Sequence, residues 1–475
     1  MSRSAPLRLL ADQALSRTAG APLVGGNAVR LLKDAGENFP AWLDAIHGAE
    51  RSIFFESYIV ADDATGREFR DALAARARAG VRVHVLHDWL GSTGRVLRQF
   101  WRPLEASGAS VRAFNPPRFD SPLGWLSRDH RKSICVDGRI AFVSGLCVSR
   151  QWLGNPAKGK EPWRDTGIAI QGPAVADIER AFAQVWATTG AQLGDDDLTA
   201  SESIPPAGDV SLRVVASAPA TAGLMRLDQL IASIARTRLW LTDAYFFPIT
   251  AYVQALCAAA KDGVDVRLLV PGVSDIPLIS PMSRSAYRPL LESGVRVFEW
   301  NGTMLHAKTA VADGRWARVG STNLNLASFI GNYELDVAVE DAGFAGLMER
   351  QYRDDLLRAT EIVLEQRRRS RRPVPAQADV KRARRAPSGS AGRAAAGAVR
   401  FGSTVGTALT NPGTLAYGNG RIMAAAAAGL VALAAISGFW PHAIAWPLAA
   451  TALWFAMALL IRAWRAFRIA RRSRR

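Results

Sequence analysis

The sequence predicts an α/β protein made of two copies of one domain, followed by a basic linker and a membrane-inserted helical hairpin. Three observations carry that expectation. Strand-like and helix-like segments alternate over residues 1–366, the alternation recurs at an offset of about 180 residues, and residues 422–461 contain no formally charged side chain. Such alternation belongs to α/β folds. A repeat that long exceeds the roughly 20–50-residue units of solenoids, so it marks duplicated domains.

Residues 1–26 form a leading segment. Its opening, MSRSAPLRLLADQALSR, puts charge into every turn and has no apolar stretch suited to a secretory signal, so export is not expected. The first domain copy is expected over 27–200. Within it RSIFFESYIV (51–60) reads as a strand, REFRDALAARARAG (67–80) as a helix ended by Gly80, and VRVHVLHDW (81–89) as the next strand. The second copy is expected over 201–366. Ala72-Leu73 through Gly80-Val81 matches Ala255-Leu256 through Gly263-Val264, and Leu104-Glu105 before Gly108 matches Leu291-Glu292 before Gly294.

Residues 367–420 lose apolar periodicity and fill with Arg, Pro, Ser and Ala, a composition that cannot bury enough surface to fold and reads as a flexible basic linker. Residues 421–475 read as the hairpin and a basic tail. The two halves of the uncharged run, 422–439 and 443–461, are divided at Trp440-Pro441-His442. At about 1.5 Å rise per residue, each just spans a hydrocarbon layer of roughly 30 Å. An alanine-rich hairpin packed on the body, or a re-entrant pair, is the competing reading, because alanine is weakly apolar and Pro447 lies inside the second half. Arg421 on one flank and RAWRAFRIARRSRR on the other place both ends on the cytoplasmic face. The expected location is therefore the cell (inner) membrane, with the domains in the cytoplasm.

The net charge of +17 is concentrated at one end. Residues 367–475 hold 19 Lys and Arg against Asp379 alone, whereas residues 1–366 hold 40 basic and 41 acidic side chains. A body that is −1 overall does not suit nucleic acid, while the basic tail suits anionic headgroups. Cys135, Cys147 and Cys257 are too few and too scattered for a disulfide framework or a zinc site.

The strongest chemical signal is a matched pair of segments, His130-Arg131-Lys132 running to Asp137-Gly138-Arg139 and His306-Ala307-Lys308 running to Asp313-Gly314-Arg315. Each reads as strand, Asp-Gly turn, strand, which puts His and Lys on one side of a strand by its period of two. Imidazole serves as nucleophile or general acid/base, and ammonium neutralises non-bridging phosphate oxygens. Two copies place one histidine on each side of a phosphorus atom, with two lysines stabilising the charge of the transition state. That chemistry calls for no metal and no cofactor. Asp137 and Asp313 complete the motif and are expected to brace the hairpin turns.

HxKxxxxD twice in one chain resembles the phospholipase D superfamily, whose longer pattern is HxKxxxxDxxxxxxGSxN. The resemblance implies two tandem, pseudo-symmetric α/β/α sandwich domains sharing one active site. The second copy carries Gly320, Ser321 and Asn323, followed by Asn332-Tyr333-Glu334, whereas Ser144-Gly145-Leu146-Cys147 puts Cys147 where the family has its phosphate-binding asparagine. The resemblance further implies that an acidic residue downstream of each motif holds that copy's histidine, Asp165 for the first and Glu334 for the second. It makes His130 the nucleophile and His306 the acid/base.

Across residues 27–340 the chain is most similar to bacterial cardiolipin synthases, on phrases such as AGVRVHVLHDWLGS, LLESGVRVFEWNGTMLHAKTAVADG and GSTNLN. It departs from them in its C-terminal hairpin and in Asn325, where GSxNxD versions have aspartate. The implied reaction transfers phosphatidyl between phosphatidylglycerol molecules and releases glycerol. The expected partners are anionic phospholipids (phosphatidylglycerol, cardiolipin) and the membrane, with no nucleic acid. Competing readings are a phospholipase D releasing phosphatidic acid, a nuclease or phosphodiesterase, and a non-catalytic scaffold motivated by Cys147.

Overall fold

The computed structural model describes residues 4–117, 126–155, 157, 159–276 and 279–364, with scattered positions between 435 and 461. The linker and most of the expected hairpin lie outside the described residues. Among the described residues, no helix is long and apolar enough to cross a membrane.

Among the described residues, fifteen strands run in chain order: β1 (Val24–Lys33), β2 (Ser52–Ser57), β3 (Arg82–Asp88), β4 (Ser110–Phe114), β5 (Lys132–Val136), β6 (Ile140–Ser144), β7 (Thr166–Gln171), β8 (Val210–Ser217), β9 (Arg238–Thr242), β10 (Asp265–Pro271), β11 (Arg296–Trp300), β12 (Thr309–Ala312), β13 (Trp316–Gly320), β14 (Glu334–Glu340) and β15 (Ala359–Ile362). They form one sheet ordered β15-β11-β10-β9-β12-β13-β14-β8-β1-β7-β6-β5-β2-β3-β4. Read outward from the antiparallel β1–β8 junction, the two halves have the same order, and β15 is added at one edge. The duplication read from sequence is therefore a duplication of topology. In each half three parallel strands (β2-β3-β4 and β9-β10-β11) adjoin an antiparallel hairpin (β5-β6 and β12-β13) that carries the motif.

The repeated glycines have a conformational reason. Gly80, Gly108, Gly263 and Gly294 lie at φ of +90°, +95°, +92° and +93°. Each ends a helix and turns the chain into the next strand, in a region of φ/ψ space where a side chain is strained. Strand alternation then divides the core. In β2, Phe54 faces one apolar cluster while Ile53 and Phe55 face another. The first of these clusters is shared by both halves, since it also receives Phe182 and Trp186 of the helix Val175–Trp186 and Phe344 and Met348 of the helix Ala342–Leu356. Each half keeps its own cluster on the opposite face, around Trp42 and Phe69 in one and around Tyr252 and Leu256 in the other.

Buried arginines fasten the halves together. Arg131 donates to the Glu334 carbonyl at 3.1 Å and the Ser217 carbonyl at 3.0 Å. Arg164 forks onto both carboxylate oxygens of Asp355 at 2.8 Å each. The Arg164–Asp355 pair is buried, so removing Arg164 would leave the Asp355 carboxylate without its ion pair.

Candidate active site

Each motif opens two or three residues before its hairpin strand, and there it pairs with the other half. Asp129 bridges to Tyr333, with His130 N donating to Tyr333 O at 2.9 Å. Arg164 bridges to Leu305, with His306 N donating to Arg164 O at 2.7 Å. These two short parallel pairings bring the start of β14 to His130 and the start of β7 to His306. The carboxylates consequently cross over: Glu334 Oε2 lies 2.9 Å from His130 Nδ1, and Asp165 Oδ2 lies 2.8 Å from His306 Nδ1. This corrects the expectation that each histidine is held by the acid of its own copy. Sequence order alone favoured the local partner, but the interface between the halves carries each acid to the opposite motif.

Both histidines line one cavity of about 400 Å³, together with Tyr58, Arg95, Cys147, Trp152, Lys160 and Tyr245 among others. Lys132 and Lys308 are buried beside them, each ammonium donating to the backbone carbonyl of its own histidine. Lys308 Nζ also lies 3.0 Å from His306 Nδ1. Tyrosine rings complete the symmetry: Tyr58 packs edge-on against His130 at 4.8 Å and Tyr245 against His306 at 5.8 Å, and the lysine ammoniums sit 5.2 and 5.8 Å from the same two rings. A ring face near an ammonium stabilises its charge.

The electrostatics are less symmetric than the geometry. Burial, reinforced by the Lys308 charge, lowers the His306 pKa to about 4, so its imidazole is neutral near pH 7. Burial lowers Lys308 to about 8 and also lowers Lys132. Burial acts to raise Asp165, but His306 and Lys308 outweigh it and hold the carboxyl below its usual range. Burial wins at Glu334, which is raised.

The motif aspartates are elsewhere. Asp137 accepts from the backbone N–H groups of Glu50, Arg51 and Ser52 at 2.7–2.9 Å, and Asp313 from those of Arg236, Thr237 and Arg238 at 2.8–2.9 Å. Both sit at the far ends of β5 and β12, so they brace hairpins and do not join the histidines in the cavity. Ser321 donates to Glu334 Oε2 at 2.6 Å. Cys147 lines the cavity wall, and its counterpart Asn323 is buried. Sequence reading missed Tyr58, Tyr245, Trp152 and Trp163, which all stand within 6 Å of a histidine ring. One signal was available: both tyrosines follow an acid by two residues at the end of a matched strand, as Glu56-x-Tyr58 and Asp243-x-Tyr245.

The family described as "Cardiolipin synthase, PLD-like domain" matches residues 42–186 and 227–356, one stretch in each half. Cardiolipin synthase A of Pseudomonas aeruginosa is 34% identical over 378 residues, covering 76% of this chain and 73% of its own. Cardiolipin synthase 1 of Bacillus anthracis is 30% identical over 360 residues, covering 74% and 70%. Among solved structures, phosphatidylserine synthase of Haemophilus influenzae has the same fold, with a TM-score of 0.60 at 15% identity, covering 74% of this chain and 91% of that one. Polyphosphate kinase of Porphyromonas gingivalis is similar at a TM-score of 0.50 and 15% identity, covering 79% and 53%. Because the family match falls on both repeats and the alignments span three quarters of the chain, the protein belongs to the cardiolipin synthase, PLD-like domain family and is a phosphatidyltransferase of the phospholipase D superfamily.

Proposed function

We propose that the protein is a cardiolipin synthase that moves the phosphatidyl group of one phosphatidylglycerol onto a hydroxyl of another and releases glycerol. The observation that carries this reading is the pair of imidazoles, one from each half, lining a single cavity with Nδ1 of each engaged by a buried carboxylate. With Nδ1 so engaged, Nε2 is the nitrogen left for chemistry. His130 Nε2 attacks phosphorus and forms a P–N bond, while the P–O bond to glycerol breaks and the leaving oxygen takes a proton from His306. In the second half-reaction His306 removes the proton from the acceptor hydroxyl, whose oxygen attacks phosphorus as the P–N bond breaks. His306 is neutral near pH 7. A bound phosphodiester anion offsets the Lys308 charge that, after burial, depresses its pKa, so His306 takes up from solvent the proton it gives to the leaving oxygen.

Transfer to a second lipid, in preference to water, is supported by two further cations on the cavity wall. Arg95 and Lys160 line it, apart from the motif lysines that are buried beside the histidines, and suit a reaction that brings in two phosphates. The expected hairpin supports it too, because it would hold the enzyme where acceptor lipid is concentrated. The near-neutral charge of residues 1–366 speaks against a nuclease. The basic residues on both flanks of the expected hairpin support a location of the catalytic halves on the cytoplasmic face of the cell membrane.

The test is mass spectrometry of products formed by the full-length protein from labelled phosphatidylglycerol. Cardiolipin and glycerol are expected, with neither formed by His130→Ala or His306→Ala. Phosphatidic acid as the only product would replace transfer with hydrolysis, and cardiolipin made by either variant would overturn the mechanism.

A further inference from the structure

The two histidine–carboxylate pairs are built alike but completed differently. In one, the oxygen that meets His130, Glu334 Oε2, accepts a second hydrogen bond from Ser321 Oγ at 2.6 Å. In the other, the oxygen that meets His306, Asp165 Oδ2, accepts its second hydrogen bond from Trp152 Nε1 at 2.9 Å. The position matching Ser321 in the first copy is Gly145, which has no hydroxyl to offer. Nor could it acquire one unaided, since a Cβ there would collide with Asp165 Oδ1. Aspartate is one methylene shorter than glutamate, so its carboxylate sits close against the backbone and fills the space a serine would need. The donor has to come from another direction.

Trp152 supplies it. The indole is 1% exposed and packs against Trp163 at 4.8 Å and edge-on against His306 at 5.3 Å. Its counterpart 176 residues later, by the spacing of His130 and His306, is Ser328, whose hydroxyl helps hold down the Glu334 carboxyl that burial raises. Glycine at 145, aspartate at 165 and tryptophan at 152 therefore form one coupled set in place of the serine and glutamate of the other site.

The geometry points to Trp152 as the positioning residue for His306: its indole N–H fixes the Asp165 oxygen that orients the imidazole, and it does for this half what the Ser321 hydroxyl does for the other. The assignment rests on the phosphatidyl transfer proposed above only for its kinetic readout. Trp152→Phe keeps most of the ring and removes the N–H. Without that donor the Asp165 carboxylate is a stronger acceptor from His306, so the His306 pKa rises and the limb of the pH–rate profile that His306 governs moves to higher pH. The expected loss is about tenfold in kcat, the scale of one hydrogen bond to a charged group, with KM nearly unchanged. A pH profile left in place, with only KM or thermal stability altered, would reduce Trp152 to packing and overturn the assignment.

A second measurement needs neither turnover nor a stable Trp152 variant. In protein labelled with 15N-tryptophan, the Trp152 indole N–H resonance is expected to shift in Asp165→Asn and to stay put in Glu334→Gln. An unmoved resonance in Asp165→Asn would overturn the assignment even if phosphatidyl transfer is established. A moved resonance in a protein that makes no cardiolipin would sustain it and refute the function instead.

Discussion

Amidating Asp165 separates the crossed arrangement of histidines and carboxylates from a same-copy one. The carboxylate is fully buried and takes three donors: His306 Nδ1 at 2.8 Å and Trp152 Nε1 at 2.9 Å on one oxygen, and Thr166 N at 2.8 Å on the other. An amide offers one oxygen and one NH2, so in either orientation of Asp165→Asn an N–H is turned toward another N–H. One buried donor left unpaired costs about 1–3 kcal/mol of stability. The larger effect is chemical, because losing the charge that orients a catalytic imidazole costs on the order of 10⁴ in kcat where it has been measured in a serine-protease triad. A synthetic phosphatidyl-p-nitrophenol makes the partner visible, since nitrophenolate leaves without needing a proton. His306→Ala and Asp165→Asn are then expected to retain a burst of nitrophenolate and to accumulate phosphatidyl on His130. His130→Ala gives no burst, and Glu334→Gln a slowed one. If Asp165→Asn instead lost the burst along with His130→Ala while Glu334→Gln kept it, the crossed pairing would be refuted.

Four further outcomes follow from the same geometry. For the free enzyme, kcat/KM falls as pH rises through about 8, where buried Lys308 loses its proton, and Lys308→Arg moves this limb to higher pH; a profile flat well past that value would remove the ammonium from the mechanism. Asp137→Ala and Asp313→Ala each leave three backbone N–H groups without their carboxylate, so each lowers stability by about 2 kcal/mol and the melting temperature by several degrees, while kcat of the folded enzyme stays near wild type. Cys147→Asn puts an amide donor on the cavity wall and lowers KM for phosphatidylglycerol several-fold, as read from initial rates; an unchanged KM would show that this wall does not touch the phosphate. Truncation after Gln366 releases the catalytic halves from membranes yet leaves turnover of detergent-dispersed lipid, and a truncated protein still found in the membrane pellet would count against the hairpin as anchor.

Much of this protein was determined by sequence alone, because the relevant signals are local or periodic. The α/β alternation, the duplication and the helix-ending glycines at 80, 108, 263 and 294 are written in short-range patterns, and positive φ at each glycine is the physical cause of its recurrence. The histidine and lysine pairs were legible because the HxK segments recur in matched copies and extended chain puts residues i and i+2 on one side, and Asp137 and Asp313 because an Asp-Gly turn needs bracing. The tertiary structure decided what depends on pairing between distant segments. Only the short parallel bridges at Asp129–Tyr333 and Arg164–Leu305 cross Glu334 to His130 and Asp165 to His306. Trp152 had no motif to announce it, because its role arises from space that Asp165 takes from Gly145, and steric exclusion between residues 20 apart leaves no periodic trace in a chain.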